Sequence, residues 1–139
     1  MNRMIKMEQK TINTHGKRKR AVARAVLKPG KGMIKINNVV LDNYKPKIYR
    51  LRIREPLLLA GEIANQVDIK INVIGGGISS QTDATRLAIA KALVEYSPRL
   101  KKVFLDYDRQ LLVADVRRKE VSKPGRHGQA RGKRQKSYR

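Results

Sequence analysis

The clearest pattern in the chain is a strict alternation: Val67, Ile69, Ile71 and Val73 are separated by Asp68, Lys70 and Asn72. A period of two predicts a strand with one face buried. Residues 20–28 also read as a strand, with Val22, Arg24 and Val26 on one face and Ala21, Ala23, Ala25 and Leu27 on the other. The pattern leaves open which of those faces packs inward. Pro29-Gly30-Lys31-Gly32 is a turn, and Met33–Asn37 alternates again, so these two runs predict a hairpin. Asn37-Asn38 turns the chain before Val39-Val40-Leu41.

Helical spacing appears twice at length. Residues 43–60 predict a helix with Ile48, Leu51 and Leu58 among the inward candidates, and Pro56 is expected to kink or restart it. Residues 78–96 predict a longer one, with Ile78, Thr82, Thr85, Ile89, Ala92, Leu93 and Tyr96 on one stripe. Ser80 and Asp83 have capping-box spacing at its start, and Ala84, Ala88 and Ala90 are small enough for close packing on a sheet. Pro98 opens a shorter helical segment to about Leu105, and Leu111–Val116 reads as a final strand. Strand, strand, helix, strand, helix, strand predicts a two-layer α+β domain.

Charge changes this picture. The 139 residues carry 33 Lys and Arg against 11 Asp and Glu, a net charge of +22. Residues 1–24 contribute +7 and residues 117–139 contribute +9, leaving +6 for the 92 residues between. The expected division is therefore a basic N-terminal arm (1–19), an α+β body (20–116) and a basic C-terminal tail (117–139). Ordering the tail costs about 1–2 kcal/mol per residue, roughly 25–45 kcal/mol in all. Its apolar groups, Val121, Ala130 and the ring of Tyr138, return only a few kcal/mol on burial. The tail is thus expected to be extended, and ordered by a partner that supplies charge contacts. Fully extended it reaches roughly 75 Å. Charge on this scale calls for a polyanion, either nucleic acid or an anionic membrane surface. A polybasic membrane anchor normally has a second, apolar signal, and none is visible here.

Other chemistry finds little support. The chain has no Cys, which excludes disulfides, thiolate catalysis and Cys-based zinc sites. No stretch is long and apolar enough to span a bilayer, and no signal-peptide h-region follows the basic start. The two histidines, His15 and His127, lie in the basic arms, poor places for a general base that must be held rigidly. Asp106, Asp108 and Asp115 are expected to pair with nearby Arg and Lys, not to form a metal site. Arg50, Arg52 and Arg54 are either a solvated face or phosphate contacts. Gly75-Gly76-Gly77 between a strand and a helix resembles a phosphate cradle, but no Gly-Lys-Ser/Thr follows, and no G-x-G-x-x-G exists. The turn is either a tight one requiring positive φ or the seat of an RNA phosphate at a helix start. No cofactor, metal or catalytic residue is expected. In the tail, Lys and Arg alternate with Gly, Pro, Ser and Gln, a composition suited to tracking a phosphate backbone. Tyr138 either stacks on a base or packs on neighbouring protein.

The run Gly75-Gly76-Gly77-Ile78-Ser79-Ser80-Gln81-Thr82-Asp83-Ala84-Thr85-Arg86-Leu87-Ala88-Ile89-Ala90-Lys91-Ala92-Leu93 resembles the signature of the family of small-subunit ribosomal protein nine, numbered sixteen in eukaryotic cytosolic ribosomes. The shared features are the triple glycine, the Gln, and an Ala-rich helix with a basic residue before Ala-Leu. Gly16–Ala25 is similar to the family's opening strand, and Gln135-Lys136-Ser137-Tyr138-Arg139 to its C-terminus. The resemblance spans roughly residues 14–139. Bacterial members typically end Ser-Lys-Arg, so the Ser-Tyr-Arg ending resembles the archaeal and eukaryotic branch, and the short chain the archaeal one.

The resemblance implies a ribosomal S-five second-domain-like fold with a left-handed β-α-β crossover, where sequence rules alone predict a right-handed one. It implies a cytoplasmic place in the small-subunit head, bound to ribosomal RNA and neighbouring head proteins, with no membrane partner and no stable homo-oligomer. It also implies that the tail reaches the anticodon stem-loop of peptidyl-site tRNA. Carried over, Arg139 is the tRNA contact, with Lys136 and Tyr138 beside it; Tyr138 stands where bacterial members have Lys. Ribosomal RNA contacts are expected from Lys17, Arg18, Lys19 and Arg20, from Gly75, Gly76, Gly77 and Gln81, and from Arg117, Arg118, Lys123, Arg126, Arg131, Lys133 and Arg134. The competing readings are a free-standing nucleic-acid-compacting protein and an enzyme that uses the Gly75–Gly77 turn for a phosphoryl substrate.

Overall fold

A computed structural model describes residues 11–133. It is α+β: a five-stranded mixed sheet with three α-helices. The strands are β1 (Ile12–Arg18), β2 (Ala21–Pro29), β3 (Ile34–Ile36), β4 (Val39–Val40) and β5 (Val67–Ile74). The helices are α1 (Lys47–Ala60), α2 (Ile78–Tyr96) and α3 (Leu100–Tyr107). The sheet order is β1-β2-β5-β3-β4. β2 runs antiparallel to β1 and β5, β3 is parallel to β5, and β4 closes a hairpin on β3.

The open question about β2 is settled by its small face. Ala21, Ala23, Ala25 and Leu27 are buried, as are Ile34, Ile36, Val67, Ile69, Ile71 and Val73. Together they form the helix-covered side of the sheet. The alanines leave room for α2 to lie close over β1 and β2. Gly16 takes this furthest: a Cβ there would collide with Ala84 O and Ala88 N of α2. Thr14 Oγ1 donates to Ala88 O at 2.9 Å beside that contact.

α2 is buried on nearly all sides, from Thr82 to Leu93, because α1 covers what the sheet does not. The buried hydroxyls of Thr82 and Thr85 donate to Ile78 O (2.8 Å) and Gln81 O (2.7 Å) of their own helix, so neither is left unpaired.

Several expectations are corrected. Residues 12–18, placed in the N-terminal arm, form the edge strand β1, anchored by buried Ile12 and by the Gly16 contact. In α1 the inward residues are Ile53, Pro56 and Ala60, whereas Ile48, Leu51 and Leu58 point outward at 65, 48 and 77% exposure. The sequence carries two apolar stripes there, and the one that includes Pro56 packs. Pro56 is buried mid-helix without ending it. No capping box forms: α2 begins at Ile78 after Gly77, with no side-chain cap, and Asp83 bonds Arg52 instead. No strand forms over 111–116. A short 3-10 turn, Arg109–Leu111, is capped by Asp108, which accepts the Gln110 N–H at 2.9 Å. It drops Leu111 into the core, and the chain leaves without pairing.

Nor is the described part of the tail fully extended. Ser122 Oγ donates to Gly128 O (2.7 Å) and Lys123 N–H to Gln129 O (3.3 Å), closing a polar loop. Glu120 gathers Lys123 (2.8 Å) and Arg131 (2.6 Å), and these hold its carboxyl below the usual range. Hydrogen bonds and one acid close this loop without an apolar core.

Candidate nucleic-acid interface

Two basic segments and a glycine turn, distant in sequence, meet at one corner of the body. The β1–β2 turn brings Arg18, Lys19 and Arg20, with Lys19 at φ 53°. The glycine turn brings Gly76, Gly77 and Ser80, and the outgoing tail brings residues 117–122. They line a cleft of about 990 Å³ whose six cations, Arg18, Lys19, Arg20, Arg117, Arg118 and Lys119, face one acid, Glu120.

Packing explains the first two glycines. Gly75 and Gly76 have φ of 77° and 63°. A Cβ on Gly75 would lie 2.5 Å from Arg20 O, and one on Gly76 would lie 3.1 Å from Ala21 N. The turn is thus folded tightly against the basic β1–β2 corner. Gln81 Nε2 donates to Gly75 O at 3.0 Å and holds it there. Gly77 differs: its φ is −100° and nothing lies within 4 Å of a Cβ built on it. The fold does not require glycine at that position, which opens onto the cleft.

The tail root is clipped to the body. Asp115 accepts from Arg117 (Nη2 at 2.6 Å, Nε at 3.0 Å) and lies 3.4 Å from Arg18 Nη1. Arg117's side-chain and backbone hydrogen bonds, aided by the Arg18 charge, hold the Asp115 carboxyl far below the usual range; the same contact raises Arg117. Arg118 Nη1 donates to Lys19 O at 2.9 Å, tying tail to turn.

The other arginines singled out from sequence are used internally. Arg52 Nη2 meets Asp83 Oδ1 at 2.7 Å, Arg54 pairs with Asp42, and Arg50 donates to Asp42 O at 2.8 Å. All three are engaged by the body's own acids or carbonyls while staying partly exposed. Arg86 bridges Glu55 and Asp108. Of the three acids expected to pair with Arg or Lys, Asp108 and Asp115 do, and Asp106 makes no ion pair among the described residues.

Of the residues expected to meet RNA, Arg18, Lys19, Arg20, Gly76, Gly77, Arg117 and Arg118 come together in the cleft. Gly75 and Gln81 form the turn behind it. Lys17 lies on β1 with an exposed side chain. Lys123 and Arg131 sit on Glu120, Arg126 Nη1 donates to Ala130 O at 3.2 Å, and Lys133 is exposed further along. Arg134, Lys136, Tyr138 and Arg139 lie outside the described residues. Lys119, absent from the sequence expectations, lines the cleft; only its place in the run Arg117-Arg118-Lys119 pointed to it.

A small α+β body that gathers basic segments from its turn and its tail beside a helix start has the build of an RNA-binding protein. Residues 16–139 match the family described as Ribosomal protein S9/S16, and the chain belongs to that family. It is similar to small ribosomal subunit protein uS9 of Methanococcus maripaludis, 50% identical over 133 residues that cover 94% of this chain and 99% of the relative. It is also similar to uS9 of Methanothrix thermoacetophila, 46% identical over 132 residues with the same coverage. These relatives are archaeal, within the archaeal and eukaryotic branch that the ending Ser-Tyr-Arg resembles.

Proposed function

We propose that the protein is a structural constituent of the small ribosomal subunit, in the cytoplasmic ribosome, with ribosomal RNA and neighbouring ribosomal proteins as partners. Its work is electrostatic positioning, not catalysis. The observation that carries this is the cleft, where turn, glycine corner and tail root present six cations against a single acid. Arg18 and Arg117 are held by Asp115, which orders the corner. Lys19, Arg20, Arg118 and Lys119 supply the outward charge. Phosphate contacts extend along the tail through Lys123, Arg126, Arg131, Lys133 and Arg134. Gly77 lets an RNA backbone approach the start of α2, whose N–H groups favour an anion.

The proposed division is a body that includes β1 and a tail that begins near residue 117. Its connection from β3 through α1 to β5 is read as left-handed. Ile69 N–H donates to Met33 O and Ile71 O accepts from Asn37 N–H, both toward β3, while both Ile side chains face the helices. For L-residues on a strand running upward, seen from the side-chain side, the backbone N–H and C=O of those residues point right. β3 therefore sits to the right of β5. The chain crosses in front from right to left, against the usual hand.

The tail tip is assigned to the anticodon stem-loop of peptidyl-site tRNA, with Arg139 as the contact and Lys136 and Tyr138 beside it; membership of the family supports this reading. Deleting residues 136–139 is expected to weaken peptidyl-site tRNA binding to purified small subunits, measured by filter binding, while subunits still assemble. Unchanged tRNA affinity in assembled, truncated subunits would remove the assignment.

A further inference from the structure

The helices cover one face of the sheet. The opposite face carries the outward residues of β2, β5 and β3, all exposed or half-buried: Val22, Arg24, Val26 and Lys28, then Lys70, Asn72 and Ile74, then Lys35. The cations on the two sides fare differently. On the helix side Arg18, Arg52, Arg54 and Arg86 are all paired with acids. On the open face Arg24, Lys28, Lys35 and Lys70 make no ion pair among the described residues.

The register makes this costly for the protein alone. Lys35 and Lys70 are direct partners across β3 and β5, on strands about 4.8 Å apart. Like charges placed directly opposite destabilise a sheet. The acid on β5, Asp68, stands opposite Lys28 in the register but makes no ion pair with it or with Lys70. Its Oδ1 accepts the backbone N–H groups of Lys31 (2.9 Å), Gly32 (3.1 Å) and Met33 (2.9 Å) at the strand's start. The face thus holds a ladder of cations with a single acid at its Lys28 end, flanked by the half-buried Val22 and Val26. None of the five strands carries Phe, Tyr or Trp; the one ring among them is the exposed His15 of β1, opposite Arg24 in the register.

We propose that this open sheet face is a second RNA-docking surface, separate from the cleft, that takes the sugar–phosphate backbone of a folded RNA segment. Arg24, Lys28, Lys35 and Lys70 meet phosphates, and the Asn72 amide, opposite Arg24 in the register, suits a ribose hydroxyl. That the RNA is ribosomal rests on the function proposed above; the surface itself rests on the register and the unpaired charge.

The test uses the full chain and a small-subunit ribosomal RNA transcript, with affinity measured across a salt series. The face variant is Arg24→Gln, Lys35→Gln, Lys70→Gln. The cleft variant is Lys19→Gln, Lys119→Gln. Both replace exposed or half-buried, unpaired side chains, so the cleft variant should melt with the parent, and the face variant at or above it, since the Lys35–Lys70 repulsion is removed. Removing one cation from its phosphate lowers the slope of log affinity against log salt by about 0.7–0.9. The face variant is expected to lose about 2–3 from that slope, additively with the cleft variant. An unchanged slope for the face variant alone overturns the second surface and leaves the proposed function standing; unchanged slopes for both overturn the two together. If the face variant keeps its RNA slope but no longer co-sediments with small subunits, an acidic protein occupies the face and the RNA assignment is wrong.

Discussion

Gly16 offers the sharpest test of how the body is built. In Gly16→Ala one methyl group enters the contact between β1 and α2, where it meets Ala84 O and Ala88 N. Both are backbone atoms of a buried helix, so no flexible side-chain end can swing aside. The strand or the helix must shift. Overpacking of a tight core costs about 1–3 kcal/mol. A shift also stretches the 2.9 Å bond from Thr14 Oγ1 to Ala88 O, worth about 0.5–1.5 kcal/mol. Against this, alanine restricts the unfolded chain and offsets about 0.4–1 kcal/mol. The net expectation is a loss of about 2–3 kcal/mol. With a urea m-value of about 1–3 kcal/mol/M, that moves the unfolding midpoint down by roughly 1 M or more. The assay is equilibrium urea unfolding of the full chain, with the m-value checked for constancy. A midpoint within error of the parent would mean that α2 does not lie on β1 as described, and that residues 12–18 are an arm after all.

Gly77→Ala should behave oppositely to Gly16→Ala: stability changes by less than about 1 kcal/mol, yet affinity for small-subunit ribosomal RNA falls in the same salt series, because the methyl stands where the backbone approaches. If affinity holds, no RNA comes close at that turn. Asp68→Asn should lower the melting temperature at neutral pH, since an ionised carboxylate accepting three backbone N–H bonds is replaced by a neutral amide. Those bonds hold the Asp68 pKa below its ordinary 3.8. The stabilisation is therefore present above that value and is lost as pH falls through the lowered folded pKa. The gap between parent and variant in melting temperature should narrow in acid, and a gap independent of pH would contradict this role.

What the sequence discloses depends on whether a residue's role shows in its own polarity. β5 and α2 were legible because their buried faces are apolar at the proper period. β1 was not, since its inward positions are Ile12, Thr14 and Gly16. A glycine that packs by having no side chain leaves no hydropathy signal. In α1 two stripes of similar polarity competed, and only the sheet chose between them. The run Leu111–Val116 is largely apolar, a pattern that does not distinguish a strand from a single core anchor. At the interface, the clusters at 17–20 and 117–119 announced themselves by charge. Their acid partners did not: Asp83 and Asp115 reach Arg18 from 65 and 97 residues away. The open-face cations stayed hidden for a related reason. Arg24 could be assigned to a face only once the alanines of β2 were known to point inward.

The clip at the tail root has a further consequence. Asp115 and Arg118 fix the start of the tail to the β1–β2 corner, so tail contacts beyond it are made by a tethered ligand. Once a phosphate is seated in the cleft, the next lysine or arginine along the tail searches a small volume, at an effective concentration on the order of millimolar. Contacts too weak to hold RNA singly then add as a chelate. Cutting the clip at Asp115 would leave every cation in place and still lower avidity, because the tail root, held only by its covalent link, would search a larger volume.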